Sequence, residues 1–471
     1  MSKITLRTYQ SDTIEETRAA LARNRRVLIQ APTGSGKTAL ATFIAEQTTA
    51  RQGRTVYFIC HRAELIFQTS LTFARYGISH GVIAAGYPMD PDKRVQVCSI
   101  DTLKNRFEQI PAPYLALWDE CHHIAAAGWS KVMDAWKGTY HVGLSATPCR
   151  LDGQGLESHF DEMILGPKVS WLIENGFLAP FEMFAPYVPD MSGVRSRGGK
   201  FAEAEAAERM SRPKLIGDAI GHWREYAEGA RTVAFCVNIA HSKHVVDAFK
   251  CSGIAAAHLD GGTPKGERKE IIQAYAAGEI KLLSNVGLFG EGFDLSAIAQ
   301  ADCTIDALID LNPSESLSWC LQKWGRVLRP ANGKVARIFD HAGNTKRHGY
   351  PDDDRAWSLK TQEKKGKGGA DGPPPPATCE TCFRQIRRPL PPCCPTCGTS
   401  LAAEARRIEQ DTEAKLVKVD DEQKRRVRQN LAYEQAQCKS LGELVALAQR
   451  RGYSSPMAWA QKVFGGRRRA A

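Results

Sequence analysis

The chain has 471 residues, of which 43% are hydrophobic and 24% are charged, and it carries a formal net charge of +11 at pH 7. This length predicts two or three domains with ordinary buried cores. No run of about 18 apolar residues occurs, and the first residues, "MSKITLRTYQSDTIEE", lack the apolar core of a secretory signal. We therefore expect a cytoplasmic protein that has no membrane segment.

Cysteine usage and the distribution of charge add two further indications. Most of the 14 cysteines precede residue 321 and lie in apolar runs such as "VYFIC" and "VAFCV", which predicts reduced thiols in buried cores. Residues 401–471 hold 15 Lys and Arg against 9 Asp and Glu. This region either contacts a phosphate backbone or forms a solvated helix surface, and charge alone does not separate the two.

Short apolar runs separated by helical stretches or loops recur along the chain and predict two α/β units. Such runs are typical of parallel sheets that are covered on both faces. The predicted strands are "RVLIQ" (26–30), "TVYFIC" (55–60), "VQVCSI" (95–100), "YLALWDE" (114–120), "HVGLSAT" (141–147), "TVAFCV" (232–237), "IAAAHLD" (254–260), "IKLLSNV" (280–286), "ADCTIDA" (301–307) and "VARIFD" (335–340).

The composition changes after residue 359. Residues 360–377, "KTQEKKGKGGADGPPPPA", hold almost nothing to bury and are predicted to form a linker. A cysteine-rich module at 378–400 and a basic, helical region at 401–471 follow it. Near the end, aromatic residues 453, 459 and 464 lie among basic ones, so they either stack on bases or form a small helical core.

The segment "APTGSGKTAL" (31–40) lies where a predicted strand meets a predicted helix, which is the context of a phosphate-binding P-loop. Its glycines allow backbone N–H groups to turn toward phosphate oxygens, and the helix N-terminus adds partial positive charge. Lys37 would reach the terminal phosphates of ATP, and Thr38 would offer a hydroxyl to Mg²⁺. A glycine-rich turn that matches by chance is the alternative. The predicted phosphate site comprises Thr33, Gly34, Ser35, Gly36, Lys37 and Thr38.

Two adjacent carboxylates follow an apolar strand in "LWDECHH" (117–123). Such a pair is usually a solvated turn, but downstream of a P-loop it is expected to hold Mg²⁺ and to orient the attacking water. We predict that Asp119 holds the ion and that Glu120 is the general base.

A third segment, "QKWGRVLRP" (322–330), belongs to the second α/β unit. The spacing of Gln322, Arg326 and Arg329 predicts that all three share one helix face. Arginine delivered to a γ-phosphate from a second domain stabilises the charge of the transition state. Hydrolysis is therefore expected to require closure of the two units on the nucleotide.

Taken in order, these segments resemble the motifs of superfamily 2 helicases, without a missing motif between residues 6 and 330. Further segments, "GLSATPCRLDGQGL" (143–156), "IFDHAGNTKRHGYPDD" (338–353) and the later cysteine cluster, resemble RadD-like bacterial and phage DNA helicases. The matching motif segments are "LRTYQ" (6–10), "YFICHRAELIFQT" (57–69), "VQVCSIDTLKN" (95–105), "DECH" (119–122), "SAT" (145–147), "AFCVNIAHSKHV" (234–245), "SNVGLFGEGFDL" (284–295) and "QKWGRVLR" (322–329).

The resemblance implies two tandem RecA-like parallel-sheet domains, at 1–165 and 166–359, in a DNA-dependent ATPase of repair, recombination or replication. It also implies roles for single residues. Adenine would be read by Arg7 and Gln10, and the ribose approached by Gly292 and Asp294. ATP state would be linked to the second domain by His122, Ser145 and Thr147. The candidate strand contacts, each of which could equally be a cap or a surface residue, are His61, Arg62, Thr102, Asn238 and Ser284.

The cysteine-rich module, "CETCFRQIRRPLPPCCPTCG" (379–398), contains two C-x-x-C pairs and resembles a zinc ribbon. Thiolates at this spacing fill four tetrahedral corners, which indicates a structural Zn²⁺ site. A redox pair and an iron–sulfur cluster are the alternatives. The predicted ligands are Cys379, Cys382, Cys394 and Cys397, with Cys393 as a fifth thiol, and the neighbouring arginines 384, 387 and 388 suit a nucleic-acid or partner contact or only solubility.

The sequence therefore predicts an ATP-driven motor on single-stranded or branched DNA, in a bacterial cytoplasm or, if phage-encoded, in that of the host. A replication or repair protein is an expected partner of the ribbon or the C-terminal region. Three other functions stay open: a remodelling factor that does not separate strands, the motor subunit of a restriction system, and an RNA helicase.

Overall fold

The computed structural model describes residues 4–124, 127–148, 155–185, 189–197, 199–289, 295–301, 303–361, 376–401, 431, 433–453 and 455–470. The predicted ribose contacts Gly292 and Asp294 lie outside these ranges. The chain divides into two compact units, Met1–Ala402 and Ala403–Ala471. Within the described ranges, every helix is too short or too polar to cross a membrane.

A seven-stranded parallel sheet forms the first lobe. Its strands are β1 (Arg26–Gln30), β2 (Val56–Cys60), β3 (His80–Ile83), β4 (Val95–Ser99), β5 (Leu115–Asp119), β6 (Tyr140–Ser145) and β7 (Glu162–Leu165). They lie in the order β3-β4-β2-β5-β6-β1-β7. The accompanying helices are α1 (Thr8–Leu21), α2 (Lys37–Thr49), α3 (Ala63–Arg75), α4 (Ile100–Arg106) and α5 (Ala127–Ala135), with a 3₁₀ turn at Cys121–His123.

Both faces of the first sheet are covered, as its apolar strands predict. Along β2, Tyr57 and Ile59 join one buried cluster, whereas Val56 and Phe58 join the other. Cys98 of β4 is fully buried, and burial raises the pKa of its thiol well above the usual value. The carboxyl ends of these parallel strands share one edge of the sheet, where ligands of open α/β sheets bind.

A six-stranded parallel sheet forms the second lobe, in the order β12-β13-β11-β14-β15-β8. Its strands are β8 (Phe181–Phe184), β11 (Thr232–Phe235), β12 (Ala256–Leu259), β13 (Leu282–Asn285), β14 (Ala307–Asp310) and β15 (Ala336–Asp340), and a short hairpin comprises β9 (Ser196–Arg197) and β10 (Lys200–Phe201). The helices of this part of the chain are α6 (Val169–Glu174), α7 (Glu203–Met210), α8 (Pro213–Ala227), α9 (Ile239–Cys251), α10 (Lys265–Ala276), α11 (Leu295–Ala299), α12 (Leu317–Gly325) and α13 (Asn344–His348).

A buried ion pair holds helix α12 against strand β14. Lys323 Nζ lies 2.6 Å from Asp310 Oδ1, and neither side chain has exposed surface. Trp324 Nε1 donates to Asp310 Oδ2 at 3.2 Å. Removing one partner of a fully buried pair leaves an uncompensated charge, so this contact fixes the helix that carries the predicted Gln322.

The structure corrects two predictions of local structure. The strand predicted at 301–307 instead begins at Ala307, because backbone pairing with β11 and β15 selects "ALID". Helix α12 ends at Gly325, and Arg326 is its C-cap. Gln322, Arg326 and Arg329 therefore do not share one helix face, because Arg329 follows the helix end.

The cysteine-rich module packs against the edge strand of the second sheet. It contains an antiparallel hairpin of β16 (Ala377–Thr378) and β17 (Gln385–Ile386). The Ala185 N–H donates to the Phe383 carbonyl at 3.0 Å, next to a bridge between Phe184 and Arg384. The module thus extends the second lobe rather than standing apart from it.

The second unit contains α14 (Leu441–Arg450) and α15 (Pro456–Ala470). Ser440 and Glu443 form a capping box at the start of α14. Leu444, Leu447 and Ala460 form a buried core, and Trp459 and Phe464 pack against it. For Trp459 and Phe464 the structure favours the small helical core, whereas Tyr453 is exposed.

Candidate active site

The P-loop connects β1 to α2 and has the backbone of a phosphate cradle. Gly34 and Gly36 have φ angles of 86° and 90°, which residues with a Cβ atom rarely adopt. A Cβ on Gly36 would also collide with Nε2 of Gln10. Gly36 is the N-cap of α2 and Lys37 its first residue, so the positive end of the helix faces the loop.

Glu120 points at this loop from the end of β5. Its Oε1 lies 3.9 Å from Lys37 Nζ, and its Oε2 lies 3.5 Å from His122 Nδ1. The residue is 5% exposed and has a left-handed φ of 47°. Such a conformation is costly for a residue with a side chain and is found where function requires it. The contact with Lys37 places this carboxylate next to the phosphate loop.

Hydrogen bonds connect His122, the neighbour of this carboxylate, to the second lobe. His122 Nδ1 lies 3.2 Å from Ser145 Oγ, which accepts a hydrogen bond of 3.1 Å from the Thr147 N–H. The Thr147 hydroxyl lies 2.5 Å from the hydroxyl of Ser318 on α12. His122, Ser145 and Thr147, the predicted coupling residues, thus form one chain. Ser318 completes it and was not predicted, because a lone serine carries no sequence signal.

The end of α12 lies directly against the P-loop. A Cβ on Gly325 would come within 2.5 Å of Thr33 Cβ, so only glycine fits this contact. Arg326 follows at once and is 7% exposed, and Arg329 is partly exposed. Both arginines line a small cavity with Phe289 and Cys303. Gly325 of the predicted arginine segment thus lies beside the phosphate loop, whereas the two arginines face a cavity whose other lining residues belong to the second lobe.

The "LRTYQ" segment contacts the opposite side of the loop. Tyr9 Oη and Gln10 Nε2 both donate to the Ser35 carbonyl, at 2.7 and 3.0 Å. The Arg7 guanidinium lies 5.0 Å from the centre of the Phe177 ring. Arg7 and Gln10, the predicted adenine contacts, are thus beside the loop, whereas Tyr9 and Phe177 are neighbours that the motif comparison did not single out.

Polar atoms without partners in this cleft fit a bound nucleotide. Glu120 Oε2 and both polar atoms of the Gln322 side chain are buried and accept or donate no hydrogen bond within the described ranges. Buried polar atoms are nearly always paired, so these atoms indicate room for a polar ligand. Asp119 and the exposed Thr38 would hold Mg²⁺, which neutralises phosphate charge when bound.

The candidate strand contacts lie in different environments. His61 and Arg62 directly follow β2, and Arg62 Nη1 donates to the Gly287 carbonyl of the second lobe at 3.3 Å. Thr102 is partly exposed on α4. Asn238 caps α9 and accepts from the His241 N–H at 2.9 Å. Ser284 is fully buried, with its hydroxyl 2.6 Å from that of Ser242, so it offers no surface to a strand in this conformation.

The four predicted cysteines meet at one point. Their sulfur atoms all lie within 4.8 Å of one another, with Cys379 3.6 Å from Cys397 and Cys382 3.5 Å from Cys394. Zn–S bonds of about 2.3 Å in a tetrahedron place the sulfurs roughly 3.8 Å apart. The arrangement therefore fits a Cys₄ zinc site. Cys393 is exposed and is outside this group.

We expect wild-type protein to hold one zinc ion per chain and the Cys379→Ser, Cys382→Ser variant to lose it, because two thiolates cannot close the site. Metal analysis of purified protein measures this directly. The matched control is Cys393→Ser, which should keep the zinc. Iron in the wild type, or neither metal, would reject the zinc site.

Comparisons with known proteins agree with this geometry. Residues 3–150 match the family model "Type III restriction enzyme, res subunit", and residues 212–331 match "Helicase conserved C-terminal domain". The 51.5 kDa protein of Lactococcus phage isolate 7-9 is 30% identical over 396 residues, which cover 84% of this chain and 82% of that protein. The DNA 3'-5' translocase XPB2 of Sulfurisphaera tokodaii is 25% identical over 378 residues, or 71% and 81% of the two chains.

The solved structure of the ATP-dependent Type ISP restriction-modification enzyme LlaBIII bound to DNA shows the same fold. The TM-score is 0.55 at 21% identity, and the match covers 72% of this chain but 28% of that one. Two parallel-sheet lobes, the first of which carries a P-loop, are the fold of a P-loop ATPase. The chain belongs to the superfamily 2 helicases, and it is a nucleic-acid-dependent ATPase of that superfamily.

Proposed function

We propose that the chain is an ATP-driven motor that moves along or remodels DNA. The observation that supports this most directly is the contact of the two lobes at the nucleotide cleft. Gly325 of α12 lies against Thr33, and Thr147 is hydrogen-bonded to Ser318. A change at the γ-phosphate therefore reaches the second lobe through short, buried contacts rather than through a flexible linker.

Both lobes would contribute residues to hydrolysis. Lys37 and the loop amides hold the phosphates, and Glu120 accepts a proton from the attacking water. Arg326 and Arg329 neutralise the charge that develops on the far side of the γ-phosphate. After phosphate is released, that attraction is lost and the lobes separate, which would loosen the grip on a strand.

Two comparisons favour DNA as the track, and two features of the chain favour a nucleic acid of either kind. The relatives reported above include a protein named as a DNA translocase, and the solved neighbour is bound to DNA. His61 and Arg62 lie at the carboxyl edge of the first sheet, where Arg62 reaches the second lobe. The net charge of +11 favours a polyanion. Action in repair, recombination or replication, in a bacterial or host cytoplasm, stays a prediction.

We expect DNA to stimulate ATP hydrolysis and RNA to do so weakly. The measurement is the steady-state ATPase rate with single-stranded, forked and gapped DNA and with matched RNA. Lys37→Ala is the control, since it removes the phosphate contact and should abolish turnover with every nucleic acid. Stronger stimulation by RNA would replace this proposal with that of an RNA helicase.

The same DNA panel separates a helicase from a remodelling factor. A motor that separates strands releases a labelled single strand from a fork when ATP is present. DNA-stimulated hydrolysis without a strand product would instead indicate a factor that moves on duplex DNA or displaces proteins, as the motor of a restriction system does.

A further inference from the structure

Residues 350–361, which we call the strap, connect the second lobe to the first. At the beginning of the strap, Tyr350 is buried in the main core of the second lobe. Arg355 Nη2 donates to the carbonyls of His348 and Tyr350, at 3.0 and 2.7 Å. These contacts anchor the first half of the strap to the second lobe.

The other end of the strap is anchored to the first lobe. The N–H groups of Leu156 and Glu157 donate to the Leu359 carbonyl at 2.7 and 3.2 Å. The Thr361 hydroxyl donates to Glu157 Oε1 at 3.1 Å, and Leu359 packs against a buried core of the first lobe. A Cβ on Gly155 would collide with backbone atoms of Leu359 and Thr361, so this contact requires glycine.

The cysteine-rich module holds the strap from a third side. The Arg387 guanidinium forms ion pairs with both Asp352 and Asp353 and lies 4.1 Å from the centre of the Tyr350 ring. Arg384 pairs with Glu182 of the second lobe at 2.9 Å. A guanidinium shared by two carboxylates and an aromatic ring is fixed in position. Arg387 is therefore directed at the strap rather than at a partner molecule.

The strap also borders the place where the lobes meet at the nucleotide. Asp353 and Trp357 of the strap line a cavity of about 190 Å³. Thr33 of the P-loop and Gly325 of α12 line the same cavity. The strap therefore faces the same cavity as the contact between these two residues.

We propose that Arg387 is a positioning residue for ATP hydrolysis. Through its ion pairs with Asp352 and Asp353, Arg387 holds the strap across the lobe boundary. The strap in turn keeps the arginine segment of the second lobe within reach of the nucleotide. This inference rests on the nucleotide site proposed above. Because the second lobe then spends more time in the closed arrangement, the protein binds ATP more tightly than it would without the strap.

Steady-state kinetics of Arg387→Glu test this role. If the fraction of molecules with closed lobes falls to about one tenth of the wild-type fraction, the KM for ATP rises about tenfold, while kcat at saturating ATP changes much less. Arg387→Lys, which keeps the charge but pairs less well with two carboxylates, should be intermediate. Arg388→Glu is the matched control, because it makes the same charge change at an adjacent exposed position.

Two measurements keep this test independent of folding and of the motor proposal. Gly155→Ala displaces the other end of the strap and should raise KM similarly while zinc content stays at the wild-type value. Hydrogen exchange of the Leu156 and Glu157 amides should accelerate in Arg387→Glu without any nucleotide. An unchanged KM for ATP in Arg387→Glu overturns the inference, even if hydrogen exchange accelerates. Unchanged hydrogen exchange of the two amides in that variant also overturns it. A wild type that hydrolyses no ATP would instead reject the nucleotide site, which exchange does not test.

Discussion

Replacing Glu120 by glutamine is expected to slow ATP hydrolysis by about 10²- to 10⁴-fold while ATP still binds, because glutamine cannot accept the proton of the attacking water. The amide is nearly isosteric with the carboxylate. It also removes a negative charge 3.9 Å from Lys37 Nζ, so that lysine becomes more available to phosphate. Binding is therefore expected to be unchanged or tighter.

Single-turnover hydrolysis and equilibrium binding of ATP distinguish this role from a structural one. Glu162→Gln is a suitable control, since Glu162 lies in the same sheet and its carboxylate pairs with Arg23 near the surface. A Glu120→Gln variant with normal turnover would show that another group activates the water. Loss of ATP binding in that variant would show that the carboxylate organises the loop instead.

The sequence predicted the architecture well where one residue pattern has one physical solution. Apolar runs such as "VYFIC" cannot be half exposed, so parallel sheets covered on both faces follow directly. The P-loop is similarly constrained, because its positive φ angles require Gly34 and Gly36. Two C-x-x-C pairs also bring four sulfurs together with little dependence on the rest of the chain.

Contacts between distant segments determine the strands and site residues that the sequence did not predict. Strands β3, β7 and β8 are edge strands with partly exposed residues, so their hydrophobic pattern is weak. The runs "TIDA" and "ALID" are similar in hydrophobicity, and only pairing with neighbouring strands selects the second. Ser318 and Arg387 belong to no local motif, because each gains its role from a partner more than 30 residues away.

The predicted role of the arginine segment depends on the position of helix α12. Because the helix ends at Gly325, Arg326 and Arg329 project from a turn rather than from successive helix turns. The close approach of Gly325 to Thr33 places that turn beside the phosphate loop. The buried pair of Lys323 with Asp310 keeps the helix from rotating away.

We therefore expect Arg326→Ala and Arg329→Ala each to lower kcat, and the one whose guanidinium reaches the γ-phosphate to lower it by about 10³- to 10⁵-fold. Arg→Lys at that position should recover little of the kcat that the alanine variant loses, since an ammonium lacks the planar fork that contacts two oxygens at once. ATP binding should persist in both alanine variants, because Lys37 and the loop amides belong to the other lobe. Arg337→Ala is the control, as Arg337 belongs to the second lobe but pairs with Glu182 on the surface. Near-normal kcat in both alanine variants would mean that the second lobe supplies no charge to the transition state, and hydrolysis would then be complete within the first lobe and could not drive its partner.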